Sequence, residues 1–178
     1  MAANPDYELY HDEEWGRPVS SERDLFERLS LEAFQSGLSW ITILRKRPAF
    51  RKAFSDFEPV AVAAYGDDDV RRLMADAGIV RNLAKISATI ANARAILALP
   101  EGETLTSIVH SYQPGATGSG GSGTVPSSTA ESAALAKELK RRGFRFVGPT
   151  TAYAMMQAIG LVNDHMPGCW VRAELGAG

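Results

Sequence analysis

Leu139-Lys140-Arg141-Arg142-Gly143-Phe144-Arg145-Phe146-Val147-Gly148-Pro149-Thr150-Thr151-Ala152 is the stretch that decides the fold. A basic helix stops at Gly143. An apolar-flanked hairpin follows, with Phe146-Val147-Gly148 in its turn. Pro149 then suits the first position of a new helix, because its missing N–H would have no partner there anyway. The physics suits a phosphate. Glycine lets backbone approach closely, and N–H groups at a helix start carry partial positive charge. Lys140, Arg141, Arg142 and Arg145 add an electrostatic grip that reads no bases. The competing interpretation is a solvated basic helix end that complements its own dipole.

Outward from the hairpin, the chain reads as nearly all helix. Ser21-Glu22-Arg23-Asp24 resembles a capping box and opens a helix with Leu25, Phe26 and Leu29 on one face. A second amphipathic stretch runs from about Ser39 to Leu44, and Pro48 is expected to start a new turn. Asp67, Asp68 and Asp69 load acid onto a helix start, and Gly78 is a plausible stop. Leu83, Ile86, Ile90, Ala93 and Leu97 mark another helix, ended by Pro100. Ser128 is expected to cap the next, with Glu131 three residues on, and Gly160 to end the last long one. No useful period-2 alternation appears, so the fold class is all-α. Pro114 to Thr124 is a flexible Gly/Ser linker, either a natural loop or a replacement for one.

Length and composition set outer bounds. The 178 residues fit one unit, 1–178, built of two intimate helical lobes. A hydrophobic share of 45% and a charged share of 22% are ordinary for a globular protein. A lone cysteine excludes an internal disulfide framework. No apolar run approaches a membrane span, and no basic segment followed by an apolar run marks a signal peptide. The expectation is a cytoplasmic monomer without a membrane partner. A net charge of −2 argues against coating nucleic acid with the whole surface but allows a local basic patch.

Leu25, Leu29 and Glu32 are spaced i, i+4, i+7, so Glu32 falls on the apolar stripe of its helix. A carboxylate there is costly unless it has partners or a task. Trp40 lies near the same side if that helix continues. An indole face beside a carboxylate suits a cationic or electron-poor purine. The plainer alternative is a glutamate at the stripe's edge, reaching solvent. At the two ends stand His11, and His165 with Cys169. Histidine and cysteine four apart place two metal ligands on one side of a helical turn, and His11 could supply a third. The plainer alternative is a buried thiol with two ordinary histidines.

Five motifs in order carry a resemblance: Tyr10-His-Asp-Glu-Glu-Trp15-Gly, Leu31 to Trp40, Asp76 to Asn82, Arg142 to Thr150, and Gly160 to His165. From Pro5 to about Trp170, the Gly/Ser linker apart, the chain resembles the type I DNA-3-methyladenine glycosylases, bacterial base-excision repair enzymes. The resemblance implies a helix-hairpin-helix fold. It implies double-stranded DNA with alkylated bases as substrate and free 3-methyladenine as product. Tyr10, Glu32 and Trp40 would contact the excised base, with Trp15 supporting the pocket and Glu32 and Tyr10 catalytic. Lys140, Arg141, Arg142, Gly143, Arg145, Gly148 and Thr150 would contact DNA. Leu38, in the Gly37-Leu38 turn, would fill the gap left by the flipped base. His11, His165 and Cys169 match ligands of a structural zinc that ties the termini together. The family's fourth ligand, a cysteine, and a pocket tryptophan lie upstream of where this sequence begins. Related glycosylases place a catalytic aspartate where this chain has Asn163, and Asp164, one step along, is not assigned that role. Two other functions stay open at this point: a lesion-binding protein with weak or no catalysis, and a metal-clasped interaction module.

Overall fold

The computed structural model describes residues 4–19, 21–115 and 125–176. Most of the Gly/Ser linker therefore lies outside the described residues. Ten α-helices are described: α1 (Pro5–Glu13), α2 (Glu22–Gln35), α3 (Trp40–Ala53), α4 (Pro59–Ala63), α5 (Asp67–Ala75), α6 (Leu83–Leu97), α7 (Leu105–His110), α8 (Ala130–Arg141), α9 (Pro149–Ala158) and α10 (Trp170–Leu175). A 3₁₀ turn, Ser55–Phe57, follows α3, and no strand occurs among the described residues.

Helix α2 is the hub. Its Leu25, Phe26, Leu29, Leu31 and Phe34 are fully buried, and it packs on α3, α6, α7 and α9. Burying side chains of this size stabilises by roughly 1.5–3 kcal/mol each. Phe34, Phe50 and Phe54 form a ring cluster between α2 and α3, with centroids 4.6 to 6.3 Å apart. Helices α8 and α9 pack on each other through Leu135, Leu139, Ala152 and Met156, all in one core cluster. Ser21 caps α2 by accepting from the Asp24 N–H at 3.1 Å.

Three local expectations are corrected. Pro48 does not open a new turn; it sits inside the continuous helix α3. An interior proline costs about 3 kcal/mol, and full burial of Ile43 and Phe50 on either side offsets it. The cap of α8 is Thr129, not Ser128. Its hydroxyl accepts from the Ser132 N–H at 3.2 Å, and the Ser132 hydroxyl accepts from the Thr129 N–H at 2.9 Å. In α6 the proposed stripe is exposed at both ends, Leu83 and Leu97, while Lys85, Thr89 and Asn92 are buried. The buried face of α6 thus carries a line of polar groups that an apolar count passes over.

Candidate active site

Three helix ends meet around Tyr10. Helix α1 contributes Tyr10, 6% exposed, and α2 contributes Glu32, 7% exposed. Helix α2 stops at Gln35. Gly37, with φ +82°, turns the chain so that Trp40 becomes the first residue of α3. Trp40 is thus not on a continuation of the α2 stripe. It reaches the site across the turn, with its ring centroid 5.2 Å from that of Tyr10. Its indole Nε1 is buried and has no partner among the described residues, a donor waiting for an acceptor.

Burial pushes the Glu32 carboxyl up to about 7, opposed by the Arg28 guanidinium one turn earlier on α2. Burial also raises the Tyr10 hydroxyl, with Arg28 working against it and Glu32 with it. Arg28 lies over the Tyr10 ring at 5.7 Å. One arm of its guanidinium donates to Glu14 at 2.8 Å; its Nη1 is buried without a partner. Arg47 of α3 forks onto the same Glu14 at 2.5 and 2.6 Å. Burial would raise Glu14, but the Arg47 and Arg28 hydrogen bonds prevail and hold it at about 2. Behind the aromatic pair, then, stands a fixed Arg–Glu–Arg set. No local pattern in the sequence signals this set, because its members are 14 to 33 residues apart in the chain.

Trp15 does not stack on Tyr10 or Trp40. Its ring meets the edge of His165 at 4.5 Å and lies 6.3 Å from the His11 ring. The termini do converge. The His11 and His165 rings are 4.9 Å apart, and His11 Nε2 is 3.5 Å from Cys169 Sγ. Asn163 Nδ2 donates to the Gly176 carbonyl at 2.7 Å, which turns Oδ1 towards His165 Nδ1 at 3.0 Å. An amide oxygen only accepts, so His165 carries its proton on Nδ1 and presents a lone pair on Nε2. That Nε2 is buried and unpartnered. Asp12 takes the same place behind His11, 2.8 Å from its Nδ1. Burial, and then the neighbouring His11, lower the His165 pKa and so favour its neutral form. Among the described residues no three His, Cys, Asp or Glu side chains stand in a group ready to hold a metal ion. Asp164 faces elsewhere, accepting from Tyr153 at 2.6 Å and Gln157 at 2.8 Å on α9.

The hairpin joins α8 to α9. Gly143 at φ +93° and Phe146 at φ +55° make its turns. Phe144 and Val147 point into the core. Gly148 caps α9 without a side-chain hydrogen bond, leaving the helix start to an outside acceptor. The basic set is less open than its sequence implies. Glu138 accepts from Arg141 at 2.6 Å and Arg142 at 2.6 Å, and Arg142 also pairs with Glu103. Lys140, Arg145 and Thr150 are exposed. Leu38, 39% exposed, stands at the tip of the α2–α3 turn. Sequence reasoning passed over Lys85 and Asn92, each of which grips the backbone of one of these turns. Their signal was polar character at i, i+7 on a buried helix face.

A family model for methyladenine glycosylases matches residues 1–173. DNA-3-methyladenine glycosylase 1 of Escherichia coli K12 is 49% identical over 173 residues, 95% of this chain and 92% of that protein. The crystal structure of a 3-methyladenine DNA glycosylase I superposes with a TM-score of 0.89 at 48% identity, covering 96% of both chains. A Staphylococcus aureus 3-methyladenine DNA glycosylase I, solved to explain 3-methyladenine recognition, gives 0.85 at 32% identity, covering 95% of this chain and 92% of that one. With that extent of sequence and fold in common, the chain belongs to the methyladenine glycosylase family.

Proposed function

We propose that the chain is a DNA-3-methyladenine glycosylase that flips the damaged base from duplex DNA and hydrolyses its N-glycosidic bond. The observation that carries this is the buried Glu32 beside the Tyr10–Trp40 aromatic pair. Methylation at N3 leaves the purine positively charged and its bond to the sugar weak. The base departs as a neutral molecule with the bonding electron pair. Water adds to the sugar carbon and loses a proton. Little leaving-group activation is needed; the lesion must be found, flipped and held, and flipping costs a few kcal/mol.

Each placed residue has a part in that sequence. The uncapped start of α9, with Gly148 and Thr150, and the exposed Lys140 and Arg145 hold phosphates. Gly143 shapes the hairpin, while Arg141 and Arg142 contribute through what their acid partners leave unneutralised. This arrangement supports the helix-hairpin-helix assignment. Leu38 fills the gap in the stack. Trp40 stacks on the flipped base, and Tyr10 and Glu32 hydrogen-bond its edge. A cationic base supplies the countercharge that burial denies Glu32, so Glu32 ionises as the lesion enters and favours positive charge at the reacting centre. Trp15 serves this pocket indirectly, by holding His165.

His11, His165 and Cys169 would hold a structural zinc. The orphaned Nε2 of His165, and the acceptors set behind both histidines, fit the second-shell arrangement of metal-bound imidazoles. When bound, the metal would tie α1 to the α10 end and take no part in chemistry. The protein works as a cytoplasmic monomer on this proposal. The test is release of free base from N-methylated duplex DNA, resolved by chromatography. Release of 3-methyladenine supports the proposal. Salt-sensitive DNA binding without release replaces it with lesion binding.

A further inference from the structure

Two turns face DNA on the proposed function: the Gly37–Leu38 wedge and the hairpin at Arg145–Gly148. Both are gripped from one helix, α6. Lys85, 7% exposed, sends its ammonium to the end of α2, donating to the Phe34 carbonyl at 2.9 Å and the Ser36 carbonyl at 2.6 Å. These are carbonyls that a helix end leaves without internal partners. A cation there also meets the negative end of the helix dipole. The turn is tightened further by Gln35, whose carbonyl accepts from the Leu38 N–H at 2.7 Å and whose side chain donates to the Leu38 carbonyl at 2.9 Å.

Asn92, 1% exposed, does the corresponding work at the hairpin. Its Oδ1 accepts from the Arg145 N–H at 2.7 Å, and its Nδ2 donates to the Arg145 carbonyl at 3.1 Å. A side-chain amide thus pairs with both backbone groups of one residue as a strand neighbour would, next to Phe146 at φ +55°. Such a φ on a non-glycine residue persists only where its surroundings enforce it. Lys85 and Asn92 are seven residues apart, on the same face of a helix. Thr89 stands between them, buried, its hydroxyl donating to the Lys85 carbonyl at 3.0 Å. The separation along the axis is about 10 Å, from 1.5 Å of rise per residue.

We propose that α6 is a spacer that sets the wedge turn and the phosphate-binding hairpin at a fixed separation, with Lys85 and Asn92 as positioning residues. This rests on the proposed roles of Leu38 and the hairpin. The benefit is preorganisation. A wedge displaced from the phosphate anchor by about half the 3.4 Å base rise would meet a base edge and not the gap between bases. Two flexible side chains on separate elements could not keep that distance, whereas one packed helix can. Neither residue touches the base or the phosphates.

The test is a double-mutant cycle on the full chain, read by fluorescence of 2-aminopurine next to the lesion (a report of flipping) and by the salt dependence of duplex affinity. Lys85→Met is expected to lower the flipping signal and single-turnover excision about tenfold, while in a Leu38→Ala background it lowers them less than about twofold, the non-additivity of residues acting as a unit. Asn92→Ala should reduce the slope of log affinity against log salt by about one phosphate contact, and lower the flipping signal of the bound fraction severalfold because the anchor no longer stands at a fixed distance from the wedge. Lys85→Arg, which preserves a donor to the α2 end, should restore most of the loss. Melting curves check that each variant is folded; should Lys85→Met not fold, Lys85→Gln takes its place in the cycle. Additive losses in the cycle, with an unchanged salt slope for Asn92→Ala, would overturn the spacer. If Leu38→Ala itself left flipping unchanged, the wedge assignment beneath it would be what fails.

Discussion

Replacing Glu32 by glutamine should make the protein more stable and less active at once. The carboxyl is 7% exposed, and burial raises its pKa from 4.5 to about 7 in the fold. A raised carboxylate means that the folded state binds its proton more tightly than the unfolded chain does. Stability is then lost as pH rises from about 4.5 and the unfolded chain ionises first; the loss is complete above about 7. The displacement from 4.5 to about 7 corresponds to roughly 3 kcal/mol of strain at pH 8. Glutamine keeps the shape and removes the charge. Its advantage should be near zero at pH 4.5 and approach roughly 3 kcal/mol at pH 8, a rise in melting temperature of about 6 to 12 °C for a chain of this size.

The assay is paired thermal denaturation of wild type and Glu32→Gln from pH 4.5 to 8.5, followed by circular dichroism, with single-turnover excision on the same samples. The expected result is a stability gap that opens with pH, and excision reduced by a factor of about 100, the scale of losing one preorganised charge at a reacting centre. Equal melting temperatures at pH 8, or a gap that does not change with pH, would refute the claim that Glu32 is held at a cost. Excision as fast as wild type would refute its catalytic role while leaving the electrostatics standing.

Arg28→Met removes the one cation that opposes burial at Glu32. The Glu32 carboxyl then rises further, and the acid limb of the pH–excision profile should move to higher pH; an unmoved limb would show that Arg28 acts only on Glu14 and Tyr10. Gly16→Ala places a Cβ 2.6 Å from His165 Cε1 at φ +81°, where the backbone alone costs roughly 1–2 kcal/mol; denaturant melts should show at least that loss, and an unchanged midpoint would mean that the terminal clasp yields freely. The proposed zinc site predicts that the wild-type chain carries one zinc by atomic emission and that His165→Ala loses it, lowering the melting temperature more than excision by the folded fraction at 20 °C. Glu138→Gln frees Arg141 and Arg142 from their shared partner and should tighten duplex binding at low salt, with the gain vanishing at high salt; no change in the salt slope would show that neither arginine reaches a phosphate.

How far the sequence could be read depended on whether the signal was local. The α8–hairpin–α9 unit was legible because its devices act within a few residues: Gly143 ends one helix, Gly148 and Pro149 open the next, and the apolar Phe144 and Val147 fix which side is buried. The start of α2 followed from Ser21, which caps by bonding three residues ahead; Asn82 does the same for α6. Pro48 misled for a reason of the opposite kind. Its local preference is to break a helix, but Ile43 and Phe50 bury against partners from distant segments, and that tertiary gain outweighs the local cost. The Ser128–Thr129 displacement is of a third kind: both residues can cap, and the choice lies in which hydroxyl meets a reciprocal partner at Ser132.

In the site, Glu32 betrayed itself as a charge on an apolar stripe, a violation visible in one helix alone. What surrounds it was not visible, because the Arg28–Glu14–Arg47 set draws on three helices and only the fold brings them together. The same limit applies to Lys85 and Asn92, whose partners lie 49 to 53 residues away in the chain. Yet each of them broke the same rule that exposed Glu32, a polar side chain on a face that ought to be apolar. Glu32 was noticed because it stood alone in a clean stripe; Lys85, Thr89 and Asn92 were missed because small alanines around them blur the stripe of α6. A buried polar group persists where its hydrogen bonds repay its lost hydration. Of the buried polar side chains on the helices, which include Glu27, Ser30, Thr89 and Ser132 as well, those at 32, 85 and 92 fall at the proposed base pocket, wedge turn and hairpin. A departure from pattern thus marks where a partner or a task must be sought: Glu27 finds its partner in Arg51 and Ser132 its task in the cap of α8, while Glu32, Lys85 and Asn92 lead to the proposed site.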